Sequence, residues 1–216
     1  MAALDDKELI ALGRSVIEAD ARAVRDVVRA LNDEFVAVAR LLCDGTGKLL
    51  VTGSGTSATI AARAAHLFSV CGTPAFHLSP ADGLHGGLGV LQSNDLLLAL
   101  SKNGSSNELN EFCARAKSLC RGVVAVTAVA DSPLAAIADH VIQLSLDDDA
   151  DLGAVVATGS SLAMAALVDA LVEIARVARD YDWERLFFTH PSGAVGRDAG
   201  RELERLAGRK SASSDR

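Results

Sequence analysis

A doubly wound α/β fold with a five-stranded parallel sheet follows from three features of this sequence. Five short apolar runs read as buried strands, and the first of them, Lys48–Thr52, lacks the two-residue alternation of a half-exposed strand. Segments with three- and four-residue apolar spacing separate most of them. Turns rich in Gly, Ser and Asn close several of the runs, where a strand hands over to a helix. Strand–helix alternation of this kind builds a parallel sheet with helices on both sides.

The elements follow in order. Residues 5–43 read as one helical stretch, with apolar positions recurring from Leu9 and Leu12 to Val38 and Leu42. Asp44-Gly45-Thr46-Gly47 breaks it, and Lys48–Thr52 is the first strand. Gly53-Ser-Gly-Thr-Ser57 then leads into a helix over Ala58–Val70. Pro74–Leu78 is the second strand, followed by a Gly-rich loop over Ser79–Gly89. Asp95–Leu100 is the third, closed by Ser101-Lys-Asn-Gly-Ser-Ser106 before a helix over Asn107–Leu119. Gly122–Ala128 is the fourth strand. Asp131-Ser132-Pro133 opens a short helix to Ala138, with proline in its first turn. His140–Leu146 is the fifth strand, and a long Ala/Leu/Val helix spans Ala154–Arg179. The domain is expected over 1–200, with a polar tail over 201–216 expected to be disordered.

Composition narrows the function. Half of the 216 residues are apolar but only 4% are aromatic, so the core must be Ala, Val and Leu. The net charge of −7 comes from interspersed acids and bases with no basic stripe, which argues against nucleic acid. No apolar run is long and charge-free enough to span a membrane. The N-terminal residues carry no apolar signal core, and the four cysteines stand singly without a CxxC pair, as expected of free thiols in a reducing cytoplasm. No zinc-type spacing and no Ser/His/Asp order stand out, so no metal is expected.

Ligands of a doubly wound sheet bind beyond the carboxyl ends of its strands. The loop after strand one loosely fits GxGxxG/A, but strand two ends Phe76-His77-Leu78 without the acid a dinucleotide ribose needs. The loop is instead rich in hydroxyls: Thr52, Ser54, Thr56, Ser57 and Thr59. Hydroxyls and free amides at a helix start hold phosphate without much basic charge; the competing reading is a tight turn with Ser/Thr caps. The loop after strand three repeats the design and places Glu108 in the first turn of its helix, either as a dipole complement or as a carboxylate aimed at the same crevice. Asp147, Asp148, Asp149 and Asp151 read mainly as a solvated acidic loop, with a metal site as the lesser alternative, and Thr158-Gly-Ser-Ser161 forms a third hydroxyl cluster. His85 and His190 stand in Gly/Pro-rich segments suited to function, whereas His66, His77 and His140 look structural.

Several segments together resemble the sugar isomerase (SIS) domain family, and within it the arabinose-5-phosphate isomerase group. They are Val51-Thr-Gly-Ser-Gly-Thr-Ser57, Gly72-Thr-Pro-Ala75, Pro80-Ala-Asp-Gly-Leu-His-Gly86, Leu100-Ser-Lys-Asn-Gly104 with Glu108, and Thr189-His-Pro-Ser-Gly-Ala-Val-Gly-Arg197. The resemblance spans about residues 10–200 and implies a five-stranded parallel sheet, a sugar-phosphate substrate, no cofactor, and homodimers or homotetramers with active sites near subunit interfaces. It implies phosphate and sugar contacts at Ser54, Ser57, Ser101, Ser105 and Ser106, and isomerase chemistry at Glu108, His85 and His190. Asp149 falls where the family has Glu. Thr56 replaces a family Lys, a charge that Lys102 in the neighbouring loop would supply, and Gly87 replaces a family Asp.

The expected activity is aldose–ketose isomerisation through an enediol, with Glu108 as base, His190 or His85 opening the ring or moving protons to oxygen, and Asp149 as a weaker second carboxylate. The alternatives are a sugar-phosphate sensor without turnover and an SIS domain kept for oligomerisation. An even-order oligomer is expected because the N-terminal helix and the helix from Ala154 offer more apolar face than one sheet covers.

Overall fold

The computed structural model describes residues 4–192, 198, 200, 201 and 203–205. Helix α1 (Asp6–Asp26) starts on a capping box, in which the Asp5 carboxylate accepts from Glu8 N and the Glu8 carboxylate from Asp5 N. A 3-10 turn (Val27–Ala30) ends it, and Asn32 opens α2 (Asp33–Asp44) by accepting from Glu34 N and Phe35 N. The single helical stretch expected over 5–43 is therefore two helices. The apolar period runs through the break, but an Asn side chain satisfies orphan amides better at a helix start than inside one.

The sheet contains β1 (Leu49–Gly53), β2 (Ala75–His77), β3 (Leu96–Leu100), β4 (Gly122–Thr127) and β5 (His140–Gln143). All pairings are parallel, and the strand order is β2-β1-β3-β4-β5. The three inner strands, β1, β3 and β4, are buried along their whole length, which is why their sequences show no alternation; β2 and β5, expected to be buried as well, are edge strands and only partly covered. At the edge, β5 stops three residues before the expected Leu146, because its ladder partner β4 ends at Thr127.

Helix α3 (Thr56–Val70) covers one face of the sheet together with α1, α2 and α7 (Gly159–Ala178). Helices α4 (Pro80–Leu84), α5 (Asn107–Ala116) and α6 (Pro133–Ile137) cover the other. With few aromatic residues available, α3 presents Ala61, Ala64 and Ala65 beside Phe68, side chains small enough for close helix–sheet contact.

Further expectations differ from the structure. The expected loop over Ser79–Gly89 contains α4 and a 3-10 turn (Gly87–Val90); Ser79 as cap and Pro80 in the first turn are a start signal that the glycines obscured. Helix α7 begins at Gly159 rather than Ala154, since Gly153 and Ala154 both hold φ near 58°. Helix α8 (Trp183–Thr189), not foreseen, is capped by Asp182 and buries Leu186 and Phe187 beside Tyr181. Leu203 packs on that cluster, and Arg201 and residues 203–205 are helical, so the tail expected to be disordered from 201 is ordered there. An apolar side chain found a surface to cover; the remainder of the expected tail lies outside the described residues. Among the described residues no helix is long and apolar enough to cross a membrane. Cys113 is buried, and burial pushes its thiol up to about 12, which makes it inert.

Opposite the strand ends that carry the hydroxyl loops, Asp95 ties the sheet entry together. Its carboxylate accepts from Lys48 N (2.7 Å) and Gln92 N (2.9 Å) and pairs with the Lys48 ammonium (2.9 Å). Burial alone would raise its pKa, but the ammonium and the two amides outweigh that and hold it below the ordinary 3.8. Asp95→Ala should lower stability by roughly 1.5–3 kcal/mol in urea denaturation at neutral pH. Because the folded pKa is depressed, this stabilisation is present above 3.8 and lost as pH falls through the lower folded value. The gap between parent and variant should therefore close in acid.

Candidate anion-binding site

Strand order reverses between β1 and β3. The chain leaves β1 over one face through α3 and leaves β3 over the other through α5. Ala61, Ala64, Ala65 and Phe68 thus belong to one core, and Leu109, Phe112, Cys113 and Ala116 to the other. The two helix starts diverge from a crevice at the carboxyl ends of neighbouring strands.

These two starts differ from most others in the chain. Helices α1, α2, α4, α6 and α8 take side-chain caps from Asp5, Asn32, Ser79, Ser132 and Asp182. Helices α3 and α5 take none, and the start of α7 is served from a distance by Asp151. Gly55 opens α3 at φ 57° and ψ −130°, a conformation that only glycine holds without strain. Ser106 opens α5, but its hydroxyl donates across the crevice to Ser54 Oγ (3.3 Å) instead of capping. First-turn amides of both helices are left without a side-chain acceptor, at the positive ends of their dipoles. The hydroxyls of Thr56, Ser57 and Ser105 also have no partner among the described residues. Amides and hydroxyls converging on one crevice form a receptor for a phosphate or similar anion.

Other hydroxyls of the same loops are committed. Thr52 donates to Leu78 O (2.8 Å) and Thr59 to Thr56 O (2.7 Å), so both are structural. Ser101 Oγ accepts from Gly104 N (3.1 Å), closing the second turn, and keeps its own proton to donate. In the third hydroxyl cluster, Ser160 and Ser161 are buried and Ser161 donates to Ala157 O.

Lys102 does not present a free charge. Its ammonium lies 2.6 Å from Asp151 Oδ2, while Asp151 Oδ1 accepts from Thr158 N (2.8 Å) and Ser160 N (2.9 Å). Burial acts to raise the Asp151 pKa, but Lys102 and the Ser160 and Thr158 amides prevail and hold it below 3.8. The sequence reading missed this role, taking Asp151 as part of a solvated loop. Its neighbours Asp147, Asp148 and Asp149 are indeed exposed, whereas Asp151 is buried. The available signal was an acid shortly before a helix start, together with a lone lysine in need of a counter-ion.

The remaining nominated residues divide. Glu108 stands exposed in the first turn of α5, its carboxylate without a partner among the described residues. His85 ends α4 on the face shared with α5; it is exposed and likewise unpartnered. Asp149 is exposed and bound to Arg22 (2.6 Å), on the rim of a cavity of about 420 Å³ between α1 and the loop before α7. His190 is not brought to the crevice within one chain. It ends α8 with Nδ1 3.1 Å from Leu186 O, and the α8 cluster packs on Val70, the last residue of α3. Thr56, at the other end of that helix, is about 21 Å from Val70 at 1.5 Å per residue. Residues 193–197 of the segment after His190 lie outside the described residues. Among the described residues no group of three or more His, Cys, Asp or Glu is placed to hold a metal ion.

Gly55→Ala tests the backbone. Nothing stands where the new methyl would go, so the cost is conformational, roughly 1–3 kcal/mol by thermal or chemical denaturation. A variant as stable as the parent would mean that the loop relaxes at no cost.

Comparison with known proteins agrees with this geometry. The SIS domain family matches residues 44–174. The arabinose 5-phosphate isomerase GutQ of Escherichia coli K12 is 31% identical over 188 residues, 87% of this chain and 59% of the relative. KdsD of Pseudomonas aeruginosa, also an arabinose 5-phosphate isomerase, is 33% identical over 175 residues, 81% of this chain and 54% of the relative. The chain thus spans somewhat more than half the length of the curated relatives it matches. A candidate sugar-phosphate isomerase from Listeria monocytogenes superposes with a TM-score of 0.83 at 29% identity, covering 88% of this chain and 100% of the other.

Proposed function

We propose, on the premise that the chain belongs to the SIS domain family, that it binds a sugar phosphate between the β1 and β3 loops and isomerises it between aldose and ketose. Arabinose 5-phosphate, the substrate named for its relatives, is the first to test. The observation that carries this reading is the pair of uncapped helix starts, α3 and α5, facing one crevice with unpartnered hydroxyls. The phosphate is anchored there by Ser57, Ser105, Ser54 and Ser106 with the first-turn amides. Anchoring fixes the sugar carbons against groups beside the crevice.

The chemistry then needs one base and one acid. Glu108 removes the proton from the carbon next to the carbonyl, and an acid protonates the carbonyl oxygen, giving an enediol. Deprotonation of the neighbouring hydroxyl and return of the proton to the former carbonyl carbon complete the exchange. Glu108 suits the base role because it shares the first turn of α5 with the anchoring amides and has no competing partner among the described residues. His85 is the histidine on the α5 side of the same chain; His190, at the far end of the sheet, reaches a crevice only in a second copy. Asp149, held by Arg22, serves at most as a rim carboxylate.

An oligomer of even order supplies that second copy. The unpartnered apolar face lies on α1, where Leu9, Ile10, Leu12 and Ile17 are exposed by 53%, 63%, 56% and 69%. Helix α7, by contrast, buries most of its apolar side chains against the sheet and neighbouring helices. Residues of this size on one helix suit a contact with another copy of the chain.

Three experiments test the reading. Glu108→Gln should lower turnover of arabinose 5-phosphate roughly 10²–10⁴-fold with little change in binding; a mere dipole partner would cost about 0.3–1 kcal/mol of stability and no turnover. Ser57→Ala with Ser105→Ala should weaken binding, each lost bond to the phosphate costing roughly 1.5–3 kcal/mol. Mixing inactive Glu108→Gln and inactive His190→Ala proteins should restore partial activity if histidine and base come from different copies; sedimentation as a monomer would refute the oligomer. The replacement of the family Lys by Thr56, with Lys102 neutralised, favours a second reading, a sensor. Binding of sugar phosphates without turnover of any pentose or hexose phosphate would establish it.

A further inference from the structure

The sole lysine of the β3 loop is held from both ends. Its backbone carbonyl accepts from Ala128 N (2.9 Å) and the Thr127 hydroxyl (3.0 Å), at the end of β4. Its ammonium meets Asp151, whose other oxygen is fixed by the Thr158 and Ser160 amides. The Asp151 side chain is 1% exposed and that of Lys102 29%. Asp151 therefore cannot turn away without orphaning two backbone N–H groups. Lys102 sits one residue from Ser101 and three from Ser105, within the loop that supplies half of the crevice.

We propose that Asp151 sets the charge of the anion site: by neutralising Lys102 it leaves a phosphate to hydroxyls and helix amides rather than to a free ammonium. The inference rests on the reading that a phosphate binds between the β1 and β3 loops. A dianion within a few ångströms of an uncompensated ammonium in a half-buried site is held strongly. Paired with a buried carboxylate, the same lysine adds almost no net charge. Recognition then comes from directional donors, and the site releases its phosphorylated product as readily as it takes up the substrate. Asp151 is thus a specificity-determining residue that acts through Lys102, not a catalytic one.

Asp151→Asn isolates the effect, because the side-chain oxygen can still accept from both amides while the charge on Lys102 is no longer balanced. Binding of inorganic phosphate and of arabinose 5-phosphate is measured by calorimetry, with melting temperature recorded alongside. The variant should bind phosphate roughly tenfold tighter at low salt, a difference of about 1.4 kcal/mol. The gain should shrink as salt rises and the charge is screened. Lys102→Met should weaken binding by a similar factor, since it leaves the carboxylate unopposed. The double variant should return to within about twofold of the parent, since net charge is restored. A purely structural pair would instead lower the melting temperature of both single variants without moving phosphate affinity in opposite directions. A folded Asp151→Asn protein that binds phosphate no tighter than the parent overturns the inference. If that variant does not fold, unchanged affinity in Lys102→Met overturns it alone. A parent that binds neither ligand overturns the phosphate reading itself. The inference on Asp151 then stands if Asp151→Asn acquires phosphate binding and falls if it does not.

Discussion

A parallel sheet buried on both faces must send its crossover helices to one side or the other, and wherever the side changes two helix starts part company. In this chain the change falls between β1 and β3. Much else follows from that constraint. The α3 start stands on the face of α1, α2 and α7, and the α5 start on the face of α4 and α6. Among the described residues neither start takes a side-chain cap, so its first-turn amides lack the acceptor that most other helices have. The Ser106–Ser54 hydrogen bond spans the gap and spends on a cross-loop link the hydroxyl best placed to cap α5. Hydroxyls and glycines at these two turns would be ordinary anywhere else; at the switch point they line one crevice.

The fold was legible because its signals are local. Buried strands announce themselves as unalternating runs such as Leu96–Leu100, and the glycines after β1 and β3 mark the handover to helices. The misses occurred where a local signal was outvoted. Asn32 interrupts an apolar period that continues through it, and Pro80 opens a helix inside a Gly-rich stretch. At the site, the hydroxyl loops were readable because each belongs to a single turn. The Lys102–Asp151 pair was not: its members are 49 positions apart (151 − 102) and meet only once the third and fifth strands are placed. The place of His190 in the fold was illegible for the converse reason. Its sequence context signals function, but no one-dimensional pattern shows that α8 returns to the end of the sheet opposite the crevice.

Charge in this chain is handled by pairing more than by accumulation. Asp95 with Lys48, Asp139 with Lys117 and Asp151 with Lys102 all join a loop to a strand or helix end, and all three carboxylates are held below their ordinary range by those contacts. The Lys48 and Lys102 side chains are about a third exposed, whereas that of Lys117 is more open. The crevice therefore sits in a molecule of net charge −7, and Lys102 of the β3 loop is already paired with Asp151. Attraction over long range is weak, and recognition falls to groups that act at hydrogen-bond distance.

The two faces of the sheet are clad unequally. One carries α1, α2, α3 and α7, of 21, 12, 15 and 20 residues; the other carries α4, α5 and α6, of five, ten and five. Short helices bury little and share few backbone hydrogen bonds, so their local opening free energy is the smaller. Amide exchange is expected to begin on the α4–α6 side, before the strands beneath are exposed. The crevice straddles this boundary: its α3 wall is built on the layer of long helices and its α5 wall, with Glu108, on the layer of short ones. A ligand thus meets one wall that is set in advance and one that yields, and the yielding wall is the one that carries the carboxylate.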